Sequence, residues 1–584
     1  RMNENYLSKI HDLLIFIYGR GKGDDTFIAL KKSLKSPPLQ GEKKARRRAP
    51  LSEKDVCLIA YGDMLAASET GTGGSSETGL GRLEKFLRLY DRGYFSFLHL
   101  LPFHPYSSDD GFSVIDYAAV DPRFGNWGDI RALSHKYKLM FDFVLNHGSA
   151  QSAWFRSFLK NEAPRRGWYI EKPSDYDPSG VFRPRTSPLL TAFPRDDGSS
   201  AHIWTTFGPD QVDYNFAEPG VFLEFLRIFL EYVQRGAKIV RLDAIAYLWK
   251  EDGTNCIHHA KTHAFVKLLR AIIDYLDLEV FILTETNVPH RENISYFGEN
   301  DEAHIVYNFA LPPLVLHAAV SEDAGILRDW AQSLPRSGEK SLFLNFLASH
   351  DGVGLLPAKG LIDDAALRRT LDIARQRGAL LSYKDTGEDP VPYELNCSYL
   401  SVVAPPSLGG AETRARAFLR CHAVLCALAG LPAIYFHSWI GSEHWTEGPV
   451  LCGYNRAINR ERPPVNRVEA ALADAGSLRA MVHAGFSKML AFRAGEPAFA
   501  PGSPQLVLPA EDSIFAILRG PDRTGRFALC LHNFSGKAIL YKASAPPIPE
   551  GFAQGAFGAE LLLGPHGTRW IAFGGDKDVA VLEI

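Results

Sequence analysis

The sequence has 584 residues, more than one ordinary hydrophobic core accommodates but a natural length for a barrel with additional domains. Its hydrophobic content of 46% and charged content of 22% are typical of a soluble globular protein. A formal net charge of −3 gives no reason to expect nucleic acid or an anionic membrane as a partner. No run approaches the roughly 18 consecutive apolar residues that a membrane-spanning helix needs.

Residues 1–52 are predicted to form a helical extension followed by a linker. Residues 3–18 carry apolar side chains at helical spacing, and a Pro- and Lys-rich stretch follows, whose basic run at 43–48 is interpreted as a solvated linker. A signal-peptide pattern is missing, although Arg1 suggests an earlier start. Seven scattered cysteines argue against a disulfide framework, so we expect a cytoplasmic protein.

An α/β fold with a closed parallel (β/α)8 TIM barrel is predicted for residues 53–500. Eight short apolar runs alternate with helical patterns such as 222–234, closed by Gly236, and 264–276. The expected barrel strands are 56–61, 95–101, 139–145, 238–242, 279–284, 304–309, 342–348 and 432–436.

Two connections are too long for simple loops, about 148–200 after the third strand and about 352–405 after the seventh. Loops that follow barrel strands lie at the face that holds the active site, so both are predicted to be inserted subdomains that cover the substrate. After residue 500 short alternating strands, such as 513–518 and 527–531, predict a C-terminal β-sandwich-like domain over 501–584. The Gly/Ser-rich stretch 71–81 lacks the ending of a phosphate loop and is interpreted as a βα loop.

Acidic residues follow three of the predicted strands. Asp243 ends KIVRLD, Glu285 ends VFILTE and Asp351 follows FLNFLASH. Any one of them could cap a helix or form an ion pair, but three acids at one face of a barrel predict a shared site. Arg241, two residues before Asp243, projects to the same side of its strand and favours the ionised carboxylate.

Such a trio suits retaining glycosyl transfer. That reaction uses a carboxylate nucleophile on one side of the scissile bond and a protonated carboxylic acid on the other. The acid protonates the leaving oxygen and then acts as a base towards the incoming acceptor. A third acid can stabilise the oxocarbenium-like transition state.

The motifs DFVLNH, VRLDA, ILTE and LASHD, in this order, resemble the four conserved regions of the α-amylase superfamily, glycoside hydrolase family 13. Further motifs resemble its sucrose phosphorylase subfamily over about residues 55–500: LPFHPYSSDDGFSVIDY, FRPR, QVDYN, KEDGTNC, YNFALPPLVLHA and YNRAINR. The resemblance implies transfer of glucose from a small α-glucoside to phosphate, through a covalent β-glucosyl intermediate, to give α-glucose 1-phosphate. It implies phosphate as co-substrate and no metal or other cofactor.

The resemblance also implies individual roles. Asp243 would be the nucleophile, Glu285 the acid/base and Asp351 the transition-state stabiliser. Residues expected to bind the donor glucose are Asp109 paired with Arg456, His147, Arg241 and His350, with Phe112 and Tyr247 as apolar walls. Residues expected on the acceptor and phosphate side are Arg183, Arg185, Asn287, Tyr393 and Glu394.

Two departures from the subfamily bear on the leaving group. Thr286 and Asn287 follow Glu285 where sucrose phosphorylases have valine and histidine, and Glu394 follows Tyr393 where they have glutamine. The segment GTNCIHHAKTH (253–263) and the helical extension are more similar to the glucosylglycerate phosphorylase branch. Glucosylglycerate is therefore the expected donor, with sucrose, sucrose 6-phosphate and glucosylglycerol as alternatives.

Other interpretations remain open from the sequence. A hydrolase or transglucosidase would use the same three acids, and a barrel without catalytic activity would act as a binding module. His259 and His263 have a helical i,i+4 spacing but lack the glutamate of an HExxH zinc motif, so no metal site is predicted. The expected partners are a small sugar substrate and phosphate, with the chain acting as a monomer or homodimer.

Overall fold

The computed structural model describes residues 2–34, 49–69, 77–335, 341–384, 390–542 and 560–584. The basic run at 43–48 and residues 71–76 of the Gly/Ser stretch lie outside these ranges. The N-terminal extension is a helical hairpin of Met2–Tyr18 (α1) and Arg20–Leu34 (α2). The prediction of a linker directly after α1 is wrong, because α2 buries Leu30 and Leu34. A Cβ at Gly23 would lie 2.8 Å from Ile15 Cα, so glycine permits the close approach of the two helices.

The first part of the barrel alternates strands and helices with well-capped helix starts. Thr78 Oγ1 accepts a hydrogen bond from the Gly81 backbone N–H, and Asn126 forms a capping box with Asp129. The end of the Gly/Ser stretch is therefore helix rather than loop. The elements are Cys57–Ala60 (β1), Gly79–Tyr90 (α3), Phe97–Leu100 (β2), Trp127–Ser134 (α4) and Lys138–Phe143 (β3).

A long connection follows β3 and contains two antiparallel strand pairs. Its elements are His147–Ser149 (β4), Ala153–Leu159 (α5), Leu190–Pro194 (β5), Ser200–Trp204 (β6) and Gln211–Asp213 (β7). Because β7 pairs back with β4, this subdomain extends to residue 213, further than the predicted boundary at about 200. Regular barrel units resume with Pro219–Gln234 (α6) and Ala237–Leu242 (β8).

The next barrel units have short connections between strands and helices. They are Ala260–Tyr275 (α7), Phe281–Thr284 (β9), His290–Ile294 (α8), Ile305–Tyr307 (β10), Leu311–Ser321 (α9), Gly325–Ser333 (α10) and Leu342–Asn345 (β11).

A second long connection follows β11 and contains a three-stranded antiparallel sheet of order β12-β14-β13. Its elements are Val353–Gly354 (β12), Asp364–Gln376 (α11), Leu380–Lys384 (β13), Val391–Asn396 (β14) and Tyr399–Val403 (α12). The remaining barrel elements are Ala411–Ala427 (α13), Leu431–Tyr435 (β15), Phe436–Trp439 (α14), Gly448–Cys452 (α15), Val465–Ala473 (α16) and Leu478–Gly495 (α17).

Eight parallel strands close the barrel in the order β1-β15-β11-β10-β9-β8-β3-β2. Each of them coincides with one of the eight predicted strand runs, so the (β/α)8 prediction is confirmed. The register pairs Arg241 of β8 with Asp142 of β3, and Leu242 with Thr284 of β9. Residues that follow β8 and β9 therefore leave the barrel at the same level.

The C-terminal region is an antiparallel sheet of order β16-β17-β18-β21-β22 with a separate two-stranded sheet. Leu529 and Phe573 of the large sheet share a small core with Tyr541 and Leu563 of the other. Its strands are Gln505–Val507 (β16), Ile514–Arg519 (β17), Arg526–Asn533 (β18), Ile539–Lys542 (β19), Glu560–Leu563 (β20), Thr568–Gly574 (β21) and Ala580–Glu583 (β22).

All seven cysteines are free thiols, and only Cys452 is exposed. Within the described ranges, no helix combines the length and the apolar character needed to cross a bilayer.

Candidate active site

The three predicted catalytic acids lie at the carboxyl-terminal end of the barrel. Asp243 directly follows β8 and Glu285 directly follows β9, and the strand register brings them to the same level. Asp351 follows β11 in the last turn before β12. The acids thus come from three different strands of one barrel, at the face where TIM-barrel enzymes carry out catalysis.

Asp243 is held by a buried network centred on Arg241. Arg241 Nη1 lies 2.8 Å from Asp243 Oδ1 and 2.5 Å from Asp142 Oδ1, and its Nε donates to the Tyr307 hydroxyl at 3.1 Å. On the far side, His99 Nε2 lies 2.7 Å from Asp142 Oδ2. The guanidinium therefore cannot rotate away from Asp243 without breaking contacts to two other barrel strands, β3 and β10.

Asp243 and Glu285 have different surroundings, and Asp243 is buried whereas Glu285 is half-buried. Burial raises the pKa of Asp243, and the Arg241 guanidinium opposes that rise through its direct ion pair. Burial also raises the pKa of Glu285. Within the described part of the chain Glu285 has no ion-pair partner; its Oε2 accepts only the Ala244 backbone N–H, at 3.0 Å. Ala244 has a φ of 50°, a left-handed turn that directs this N–H towards Glu285.

Asp351 is surrounded by positive charge. Arg456 Nη1 lies 2.6 Å from Asp351 Oδ1, and Arg460 Nη2 lies 3.7 Å from the same oxygen. Burial alone would raise the pKa of Asp351, but these two guanidinium groups and the neighbouring His350 hold it well below the usual range. Asp351 is therefore ionised at neutral pH.

The predicted ion pair between Asp109 and Arg456 is wrong. Arg456 instead forms a bidentate ion pair with Glu394, with contacts of 3.0 and 2.7 Å, in addition to its contact with Asp351. Asp109 Oδ2 accepts a hydrogen bond from Gln211 Nε2 at 3.2 Å. Several carboxylates compete for one guanidinium, and those whose positions match its planar donor groups best form the ion pairs. The sequence alone does not show which carboxylates these are.

The residues predicted to wall the donor site do come together. Phe112 and His350 stack with ring centroids 4.9 Å apart, and His147 Nε2 lies 3.0 Å from the Phe112 carbonyl oxygen. Tyr247 contacts the Phe207 ring edge to face at 5.3 Å. A tight turn before Phe112 depends on Gly111, whose φ is 111° and where a Cβ would lie 2.7 Å from a Pro102 side-chain atom.

Comparison with known proteins agrees with this arrangement. Residues 95–354 match the α-amylase catalytic domain. The glucosylglycerate phosphorylase of Spirochaeta thermophila is 49% identical over 534 residues, covering 91% of this chain and 89% of the relative. The glucosylglycerate phosphorylase of Escherichia coli is 40% identical over 579 residues, covering 96% and 99%. This chain belongs to glycoside hydrolase family 13, in its sucrose phosphorylase subfamily.

The fold of this family 13 chain also matches a solved relative. Sucrose 6F-phosphate phosphorylase from Thermoanaerobacter thermosaccharolyticum superposes with a TM-score of 0.74 over 91% of this chain and 98% of the relative, at 22% sequence identity. At that identity the likeness concerns the fold only.

Cations surround an aromatic cluster that includes residues predicted to lie on the acceptor side. Tyr247 packs against Phe182 at 6.3 Å and against Phe207 at 5.3 Å, measured between ring centroids. Lys384 Nζ lies 4.4 Å from the Phe182 centroid, and the Arg185 guanidinium lies 5.5 Å from that of Phe207. The cluster therefore connects the loops after β3 and β11 with the turn that follows Asp243.

None of the three cations Arg183, Arg185 and Lys384 forms an ion pair with a carboxylate in the described parts of the chain. Arg183 Nη2 donates to the Ser187 carbonyl oxygen, and Arg185 lies 5.4 Å from the centroid of Tyr393. Burial lowers the pKa of Arg183, and burial with the like charge of Lys359 lowers that of Lys384. Cations that have no carboxylate partner among the described residues are suited to binding an anion.

Thr286 and Asn287, two of the residues that depart from the subfamily, have different surroundings. Thr286 Oγ1 donates to Asn293 Oδ1 at 2.6 Å, which is a structural contact inside the loop. Asn287 Oδ1 is buried and has no hydrogen-bond partner among the described residues. It lies against Gly354, where a Cβ would approach this oxygen to 2.4 Å. Asn287 therefore carries an unused acceptor close to Glu285.

The two histidines considered for metal binding are engaged elsewhere. His263 Nδ1 lies 2.7 Å from Glu302 Oε2, and its ring stacks on Tyr296 at 4.4 Å. His259 caps α7 by accepting the Lys261 backbone N–H at 3.1 Å.

Several residues of the site were missed by sequence reasoning although they lie inside quoted motifs. Arg460 is part of YNRAINR, and it pairs with Asp110 at 2.7 Å and donates to the His350 carbonyl oxygen at 2.6 Å. Gln211 is part of QVDYN, where it contacts Asp109. The recurrence of arginine within YNRAINR, at 456 and 460, was the available signal.

Proposed function

We propose that this protein is a retaining α-glucoside phosphorylase. It transfers glucose from 2-O-α-glucosylglycerate to phosphate and releases glycerate and α-glucose 1-phosphate. Asp243 is the nucleophile, Glu285 the acid/base and Asp351 the transition-state stabiliser, and phosphate is a co-substrate with no further cofactor.

The contrast between Asp243 and Glu285 is the observation that carries this proposal. Two carboxyl groups near each other do not both ionise readily, so the pair retains one proton at neutral pH. Arg241 is bonded directly to Asp243 and stabilises its ionised form. We assign the carboxylate to Asp243, which has the direct contact with Arg241, and the proton to Glu285, which has no ion-pair partner among the described residues; this gives one nucleophile and one general acid.

In the first half-reaction, a carboxylate oxygen of Asp243 attacks the anomeric carbon of the donor. The bond from that carbon to the glycerate oxygen breaks while Glu285 transfers its proton to that oxygen. Positive charge develops on the sugar, and the ionised Asp351 stabilises it. Glycerate leaves, the glucosyl group is bonded to Asp243, and Glu285 is left as a carboxylate.

In the second half-reaction, a phosphate oxygen attacks the same carbon from the side on which glycerate left. The bond to Asp243 breaks, and Glu285 accepts the proton of the incoming hydrogen phosphate. Two inversions give net retention of the α-configuration. Phosphate, an anion, must occupy the position that water would occupy in a hydrolase. Arg183 and Arg185 supply positive charge that favours its binding.

Glycerate as the leaving group is supported by two independent facts. Relatives that cover nearly the whole chain at 40–49% identity are glucosylglycerate phosphorylases. The acceptor side holds Arg183, Arg185 and Lys384, which have no acidic partner among the described residues and suit a second anion besides phosphate. Tyr393 and Asn287 are proposed to contact the glycerate hydroxyl groups. Both carboxylate oxygens of Glu394 accept hydrogen bonds from Arg456. Glu394 is therefore proposed to act on the acceptor side through that arginine.

The test is to incubate the protein with glucosylglycerate, with and without phosphate, and to measure glucose 1-phosphate and free glucose. We expect glucose 1-phosphate in proportion to phosphate, with slower turnover of sucrose, sucrose 6-phosphate and glucosylglycerol. Glucose release independent of phosphate would instead identify a hydrolase.

We also propose a cytoplasmic location, in agreement with seven free thiols, which a reducing compartment preserves. The chain is proposed to act as a monomer or homodimer.

A further inference from the structure

A buried hydrogen-bond chain beside the donor site takes no part in the steps above. Lys250 Nζ lies 2.8 Å from Asp213 Oδ2 and 2.7 Å from Asn146 Oδ1, and the Lys250 side chain is 4% exposed. Asp213 also accepts the Thr206 backbone N–H at 2.9 Å and the Thr206 hydroxyl at 2.5 Å. The chain connects the loops that follow β3, β6 and β8 with the end of β7.

The direction of each hydrogen bond follows from Lys250. An ammonium group only donates, so the Asn146 atom that faces it is the carbonyl oxygen. The Asn146 amide nitrogen then faces Asp213 Oδ2 at 3.2 Å and His147 Nδ1 at 3.2 Å. An amide nitrogen also only donates, so His147 Nδ1 is an acceptor and carries no hydrogen. The ring hydrogen of His147 therefore lies on Nε2, 3.0 Å from the Phe112 carbonyl oxygen.

We propose that Lys250 is a positioning residue that acts through Asn146 to keep His147 neutral, with its hydrogen on Nε2 and directed at the Phe112 carbonyl oxygen, which fixes the ring beside the donor site. The inference rests on the proposed function, in which His147 binds the glucose unit. A doubly protonated His147 would direct an Nδ1–H at the Asn146 amide hydrogens, so the network opposes it sterically and electrostatically.

The charges around His147 agree with this role. Burial lowers the pKa of His147, and the positive charge of Lys250 adds to that effect. Asp213 and Asp109 act in the opposite direction. Gln211 and Asn146, the other polar side chains in contact, are uncharged. Without Lys250, two carboxylates would act on His147 with no cation to offset them.

The first test is Lys250→Met, assayed by release of p-nitrophenol from p-nitrophenyl α-glucoside as a function of pH. This donor reports glucosyl transfer to the enzyme whatever the natural leaving group is. We expect Lys250→Met to gain an acid limb near the ordinary histidine pKa of about 6.5, because Asn146 is free to turn its oxygen towards Nδ1. The ratio of the activity at about pH 5.5 to that at about pH 8 should be about tenfold lower in Lys250→Met than in the wild type.

Lys172→Met is a matched control, because it removes another lysine that pairs with an acid, in this case the exposed Asp252 at 2.6 Å. It should leave the shape of the pH profile unchanged. Asn146→Asp is the second test; it is isosteric and keeps Lys250, but it places a carboxylate oxygen against His147 Nδ1. Asn146→Asp should produce the acid limb at a higher pH than Lys250→Met does.

Wild-type-shaped profiles for folded Lys250→Met and Asn146→Asp would overturn the proposal. If Lys250→Met does not fold, Asn146→Asp decides alone, since it retains the cation. A wild-type protein that cleaves p-nitrophenyl α-glucoside but makes no glucose 1-phosphate from glucosylglycerate would refute the proposed function and leave this test valid.

Discussion

Arg456 and Asp351 form an ion pair of 2.6 Å, and the opposite edge of the same guanidinium holds Glu394 in a bidentate contact. Asp351 follows a barrel strand, whereas Glu394 lies on β14 of the second long connection. One arginine therefore joins a proposed catalytic acid to an inserted sheet. The position of that sheet helps to decide the charge state of the acid.

Replacing Arg456 should shift the acid limb of the profile of activity against pH. The pKa of Asp351 lies well below its usual range, so the wild type keeps this acid ionised throughout the working pH range. In Arg456→Met the closest cation is gone, and burial raises the pKa of Asp351 with less opposition. We expect the acid limb of kcat/KM to shift to higher pH, measured between about pH 4 and pH 8.

Arg456→Lys is the control for charge. It retains a cation but cannot hold Asp351 and Glu394 together, so its acid limb should stay close to that of the wild type while kcat/KM falls. Parallel profiles for the methionine variant and the wild type would show that Arg456 does not set the charge of Asp351.

Glu285→Gln should impair turnover in a way that depends on the leaving group. The amide cannot protonate glycerate, so kcat/KM for glucosylglycerate should fall by about 10²–10⁴-fold. Fluoride needs much less assistance from an acid, so α-glucosyl fluoride should lose far less activity. Asp243→Asn, which removes the nucleophile, should be inactive on both donors. Equal losses of Glu285→Gln on both donors would contradict its role as the acid.

The sequence was sufficient to predict the barrel, because each strand is a short buried apolar run and each proposed catalytic acid directly follows such a run or lies shortly after it. The pairing of side chains within the site was much less predictable. Asp109, Asp351 and Glu394 all compete for Arg456, and only their three-dimensional positions decide the outcome. The sequence did not predict helix α2. Gly21, Gly23 and several lysines leave it only a narrow apolar side, so its helical pattern is weak.

Lys384 should discriminate between charged and neutral donors. Lys384→Met removes a cation that has no acidic partner in the described chain, next to the aromatic cluster around Tyr247. A hydrogen bond to a charged group contributes about 1.5–3 kcal/mol, so the KM for glucosylglycerate should rise about 10- to 150-fold. The KM for uncharged glucosylglycerol should change little. Steady-state kinetics with both donors provides the measurement.

Lys359→Met is the matched control for that experiment, because Lys359 is an exposed neighbour whose loss changes the net charge equally. It should affect both donors slightly and alike, since an exposed charge is well screened. A similar loss on both donors in Lys384→Met would show that this lysine does not bind the carboxylate.

The half-buried Glu285 should also make stability depend on pH. Burial raises its pKa in the folded protein above the unfolded value, so the folded state binds more protons between these two values. The stability of the wild type therefore decreases as pH rises from the unfolded pKa through the folded one. Glu285→Gln has no such titration. Its Tm, measured by calorimetry, should exceed the wild-type Tm more at about pH 8 than at about pH 4.5.

Glu299→Gln is the control, because Glu299 is an exposed glutamate in the connection between β9 and β10. Its Tm should differ from that of the wild type by the same small amount at both pH values. If the Tm advantage of Glu285→Gln were equally large at both, ionisation of Glu285 would not cost stability. The proton assigned to this acid would then have to reside on Asp243, and the roles of nucleophile and acid/base would need to be exchanged.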